Sequence, residues 1–280
     1  MRAIAVTDVG WKARRLIVDA TTPPVVVTRL SRSVYLEIGG DIVWLGPPGS
    51  TLHGRAIIAD VPDAAAGPDT IGELNVSAAR EWSPTALPAG VSETAIVGTA
   101  AHLTRQVSRV GRPDGFGSLL QGASPAFPLN HAVDDALGFL AACGAGDADA
   151  AVAGAERLLG LGPGLTPAGD DLVGGAFFAR RLLADIGVGD PEPWRGAAAI
   201  IHARARQRTH RISAALLGDL MDGAAYAPLH DLAAALAATD TATALAATAR
   251  LVAIGHSSGW DMLTGFLTTL APRVRGTAPA

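Results

Sequence analysis

Up to about residue 128, apolar residues fall in short runs of valine, isoleucine and leucine, punctuated by Gly-Gly, Pro-Pro and Gly-Pro steps. Runs of this kind predict strands at 16–19, 24–30, 33–38, 41–45 and 56–58. Gly39-Gly40, between two of them, has the form of a hairpin turn. Short strands at this spacing predict a small barrel or sandwich. A helix is expected over 99–110, and the Gly-, Pro- and Ser-dense stretch 111–128 that follows marks a domain boundary. Beyond it the apolar period lengthens to three and four residues, which predicts helices at 130–142, 147–159, 167–186, 194–217, 229–238, 241–254 and 257–270. The expected fold class is α+β, with a β-rich domain over 1–128 and an all-helical domain over 129–280.

Composition narrows the function. With 49% hydrophobic and 17% charged residues in 280, the chain is long and apolar enough for a substantial core. A net charge of −4 argues against a general nucleic-acid binder, and the five tryptophans are not interleaved with basic residues as a single-strand-binding surface requires. Arg204, Arg206, Arg208 and Arg211 are a local exception, read either as a solvated, ion-paired face or as an anion contact. The single cysteine, Cys143, excludes an intrachain disulfide. No apolar run reaches the roughly 18 residues of a membrane span, and the first residues lack a secretory signal's apolar block. A cytoplasmic protein with no membrane partner is expected.

The candidate chemistry lies in the helical part. GLGPGLTPAGDD, residues 160–171, joins a glycine-rich loop to a helix start with two adjacent acids, Asp170 and Asp171. Glycines such as Gly162, Gly164 and Gly169 let backbone approach a ligand, and N–H groups at a helix start suit a small anion. Thr166 is the expected N-cap, with Pro167 in the first turn. A second segment repeats the pattern: GDDLVGG at 169–175 is matched by GWDMLTG at 259–265, an offset of 259 − 169 = 90 residues. Ser257 or Ser258 is the expected cap there. The two starts are expected to face one site, with Asp171, Asp261 and His256 as its chemical groups and Arg206 and Arg208, or the loop amides, as its anion contacts. Such carboxylates suit either Mg²⁺ or the N–H groups of a ligand amide, and a Mg-dependent hydrolase using Asp170, Asp171 and Asp261 is one alternative. A non-catalytic scaffold or sensor is another.

Residues 160–171 and IGHSSGWDMLTGF at 254–266 resemble a bacterial family that includes the AllH-type subunit of oxamate carbamoyltransferase. HGRAIIAD at 53–60 carries a looser likeness in the first half. The resemblance implies a subunit of a complex that interconverts oxalurate and phosphate with oxamate and carbamoyl phosphate in allantoin degradation, or a relative acting on a similar carbamoyl or acyl-phosphate substrate. It also implies a small anionic substrate and further carbamoyltransferase subunits as partners.

Overall fold

The computed structural model describes residues 4–60, 71–84, 86–87 and 90–271. The backbone forms two compact units, Met1–Thr85 with Ala224–Ala227, and Ala86–Gly223 with Pro228–Ala280. The first is a strand-rich half-barrel sheet and the second is all-helical, as the change of hydrophobic period predicts.

In the first unit, β1 (Ile4–Gly10) leads into α1 (Trp11–Asp19), followed by β2 (Val25–Arg29), β3 (Val34–Ile38), β4 (Asp41–Gly46), β5 (Ala56–Ala59), β6 (Leu74–Asn75) and β7 (Arg80–Trp82). The strand order is β2-β3-β4-β5-β1-β6, with β7 also on β1. Gly39 and Gly40 have φ of 59° and 82° and close the β3–β4 hairpin, whose last pair is Ile38 with Asp41. A two-residue turn of that hand requires positive φ at both positions, which glycine adopts without steric cost. Strict alternation places Val34, Leu36 and Ile38 of β3 in a core with Val6, Val9, Val43, Leu45 and Ile57. The expected strand at 16–19 is instead the end of α1. The run Leu16-Ile17-Val18 looks β-like alone, but Ala13, Leu16 and Ile17 share a helical face packed on this core, while Val18 is exposed.

The second unit holds α2 (Glu93–Thr104), α3 (Val133–Ala145), α4 (Ala148–Leu158), α5 (Ala168–Asp185), α6 (Glu192–Arg208), α7 (Arg211–Met221), α8 (Ala227–Ala237), α9 (Thr241–Val252) and α10 (Ser258–Leu270). Helix α5 is buried almost all round, which makes it the central helix of the bundle, with α10 against it. The expected single helix at 194–217 is two, broken at Thr209-His210. His210 caps α7 by accepting from the Ile212 N–H at 3.2 Å, and Thr209 turns its hydroxyl to Asp170. The Gly- and Pro-rich stretch 111–128 lies inside this unit and contains a 3₁₀ segment, Gly115–Gln121, packed on α10. Among the described residues no helix is long and apolar enough to cross a membrane.

Candidate functional site

The repeated glycines set the geometry of α5 and α10. A Cβ on Gly175 would collide with the carbonyl oxygen of Met262, and one on Gly265 would collide with that of Leu172. These contacts are equivalent under the 90-residue offset, since 262 − 172 = 90 and 265 − 175 = 90. The helices therefore cross backbone to backbone about a local pseudo-two-fold axis. The first glycines act in parallel, Gly169 lying against the Leu158 carbonyl at the end of α4 and Gly259 against the Leu251 carbonyl in α9. Each half of the repeat is thus an outer helix, a loop and an inner helix, with the inner helices in close contact.

This crossing brings the two helix starts together. Thr166 and Ser258 share a hydrogen bond of 3.0 Å between hydroxyl oxygens that are 92 residues apart in sequence. Neither start carries the side-chain cap expected of it: Pro167 and Ser257 occupy the cap positions without capping bonds, and Thr166 is spent on Ser258. The loop before α5 runs through Gly160, Gly162 and Gly164 at φ of 75°, 116° and 95°, a path that L residues rarely follow.

Asp170 and Asp171 have separate tasks. Asp170, 1% exposed, is filled: Oδ1 accepts from the Gly160 N–H at 2.8 Å, and Oδ2 accepts from Ser213 at 2.6 Å and from Thr209. It ties the glycine-rich loop to the start of α7. Asp171 and Asp261, 5% and 0% exposed, each keep a buried Oδ2 with no hydrogen-bond partner. The other oxygen of Asp261 accepts from the Phe116 N–H at 2.7 Å. Gly115 packs so closely on that carboxyl that a side chain there would strike it.

Burial dominates the electrostatics of this pair. It holds the Asp171 carboxyl well above its ordinary range; the charge of Asp261 adds to the effect, the Ser258 hydroxyl opposes it, and Asp170 adds a smaller share. Burial likewise pushes Asp261 up to about 8, against hydrogen bonds from Ser257 and the Phe116 amide and with a contribution from Asp114. At neutral pH the pair therefore retains a proton. Its oxygens can donate a hydrogen bond as well as accept one, which an ordinary aspartate cannot.

The remaining candidates are not brought onto the carboxyl pair. His256 is a surface side chain whose Nε2 is 3.3 Å from Asp114 Oδ2, and Asp114 in turn accepts from the Gly115 N–H at 2.7 Å. Arg208 donates to the Glu156 carbonyl at 2.6 Å, Arg204 is 3.5 Å from the Glu156 carboxylate, and Arg206 is exposed on the same helix end. Asp170 differs from Asp171 and Asp261 in that both of its oxygens already accept hydrogen bonds. Among the described residues no group of three or more His, Cys, Asp or Glu is placed to hold a metal ion. Sequence reasoning misses Asp114, Gly115 and Phe116, which fall within the stretch it reads as a connection. The Pro-Asp-Gly turn signal at 113–115 is the one local mark of an ordered segment. An open cleft of about 470 Å³ in this unit lies elsewhere, along Phe177, Arg180 and Trp194. The paired carboxyls are interior.

Residues 158–270 match the family described as oxamate carbamoyltransferase subunit AllH. The matched stretch begins at the end of α4 and closes with α10, so it contains both halves of the repeat. No curated protein and no solved structure matches the chain.

Proposed function

We propose, from the match of residues 158–270 to the AllH family, that the protein is a subunit of an oxamate carbamoyltransferase whose ligand site is the meeting point of α5 and α10. The observation that carries this reading is the pair of buried, unpartnered oxygens, Asp171 Oδ2 and Asp261 Oδ2, one from each helix start. Polar atoms sealed from water without a partner cost about 1–3 kcal/mol each, and a ligand that hydrogen-bonds to them removes that penalty.

Oxamate, oxalurate and carbamoyl phosphate all combine an anionic end with an amide. The loop N–H groups at 162–166 suit the anionic end. The carboxyls suit the amide, an ionised oxygen accepting its N–H and a protonated one donating to its carbonyl. In carbamoyl transfer the oxamate nitrogen bonds to the carbamoyl carbon while the bond from that carbon to phosphate oxygen breaks. The proton lost from nitrogen passes to phosphate or to an ionised member of the pair. A neutral carboxyl hydrogen-bonded to the carbamoyl oxygen would stabilise the charge that develops there. Access is through the loop, whose Thr166–Ser258 contact is one neutral hydrogen bond worth about 1 kcal/mol.

Calorimetry on the chain, alone and mixed with candidate partner subunits, tests this reading. Binding of oxamate or carbamoyl phosphate that is lost in Asp171→Asn together with Asp261→Asn supports it. A chain that binds neither compound and joins no partner contradicts it. The complete burial of Asp261 also favours a second reading, a subunit that scaffolds a partner's active site. Full turnover of a reconstituted complex carrying Asp171→Asn would select that one.

A further inference from the structure

We propose that the cleft between α5, α6 and α7 is a second binding site, for a small organic anion that carries a carboxylate or phosphate on a flat apolar body. The cleft encloses about 470 Å³, within the usual range for small-molecule sites. Its central cation is Arg180. That guanidinium lies over the Trp194 ring at 4.7 Å from the centroid, and Phe177 meets the indole edge-on at 5.3 Å. With its carbon over the indole, the guanidinium carries terminal N–H groups of the kind that grip carboxylate and phosphate oxygens in pairs.

Among the described residues no acid neutralises this arginine at contact distance. Its Nε is buried without an acceptor, and Glu93 acts on it only from beyond ion-pair range. The other arginines of the cleft are engaged: Arg181 is 2.8 Å from Asp185, and Arg195 pairs with Glu192. Asp222 also lines the cleft and limits its positive potential, which favours a single anionic group seated at Arg180 over a polyanion. Trp194, Ala198, Ala199 and Met221 offer the apolar wall for the ligand's body. None of these residues belongs to the carboxyl pair or its loop.

Titration of the intact chain with benzoate, phenyl phosphate, inorganic phosphate and neutral benzamide, followed by calorimetry, tests the proposal. Benzoate or phenyl phosphate should bind at least tenfold more tightly than benzamide, and the stronger of the two identifies the anionic group. Inorganic phosphate should bind more weakly, for want of the apolar body. Arg180→Gln should weaken the preferred anion at least tenfold, the scale expected for losing a charged hydrogen bond, and Arg180→Lys by less. Ala199 is on an exposed face, so Ala199→Trp should fill the cleft and abolish binding in a folded protein. The proposal is overturned if neither aromatic anion binds at about 10 mM. Equal binding of benzoate and benzamide, or undiminished binding by folded Arg180→Gln or Ala199→Trp, overturns it as well.

Discussion

The start of α5 and the start of α10 are the same structure put to different uses. Both place a glycine against the carbonyl of the preceding helix, an aspartate two residues on, and a second glycine against the opposite inner helix. Between the first glycine and the aspartate the halves diverge. Position 170 is an aspartate that gathers Gly160, Thr209 and Ser213, whereas its counterpart, 170 + 90 = 260, is a tryptophan buried against Gly117. One half fastens its loop by hydrogen bonds to Asp170, and the other packs Trp260 on a 3₁₀ segment that Asp261 also holds through the Phe116 N–H. What is common to both is the crossing and the inward carboxyl. A repeat under no functional demand would have little reason to keep two buried acids, since each costs solvation that a leucine would not.

Substitutions separate the shared features of the two halves from the divergent ones. The largest effect belongs where the halves agree. Gly175→Ala and Gly265→Ala each drive a methyl into a backbone carbonyl, so each should destabilise by about 3 kcal/mol or more in chemical denaturation. A Cβ on Gly138 of α3 would meet nothing within 4 Å, so Gly138→Ala should stabilise by about 0.5–1 kcal/mol and serve as the control. If all three behave alike, α5 and α10 do not cross backbone to backbone.

The next effect lies where the halves differ. Asp170→Ala strands the Gly160 N–H and two hydroxyls, and should cost about 2–4 kcal/mol while loosening the glycine loop. Hydrogen exchange at 160–166 should speed up more than at 255–258, because the second half has no such clamp. Equal acceleration in both loops would show that Asp170 is not specific to the first. The smallest effect is at the link between halves: Thr166→Val removes one hydroxyl contact and should cost about 1 kcal/mol in a thermal melt, with the fold unchanged.

The elements are legible in the sequence wherever one local period decides them. The β3–β4 hairpin follows from two adjacent glycines, and the inner helices from their apolar period and the repeated motif. The break at Thr209-His210 is not legible, because the partner that stabilises it, Asp170, is 39 residues away. The contact between Phe116 and Asp261 spans 145 residues and is made by a main-chain N–H, which carries no side-chain signature. The caps mislead for a related reason. Thr166 and Ser258 are ordinary capping residues by type, yet each finds a partner in the other helix start.

Whether Asp171 and Asp261 act as one proton-retaining pair decides the reading of the site, and carboxyl ¹³C NMR of the wild type, Asp171→Asn and Asp261→Asn across pH reports on it without intermediaries. A carboxyl raised above its unfolded value stabilises the fold fully at pH below that unfolded value, and this contribution is lost as pH rises through the folded one. For Asp261 the window runs from about 4 to about 8, with a slope of at most about 1.4 kcal/mol per pH unit. The expected spectra show an Asp261 resonance titrating near 8 and an Asp171 resonance that titrates lower once Asp261 is asparagine, with a flatter stability profile over that window in Asp261→Asn. Two resonances that titrate independently near 4 in the folded wild type would show that the carboxyls are neither coupled nor protonated at neutral pH, and the paired site would be lost with them.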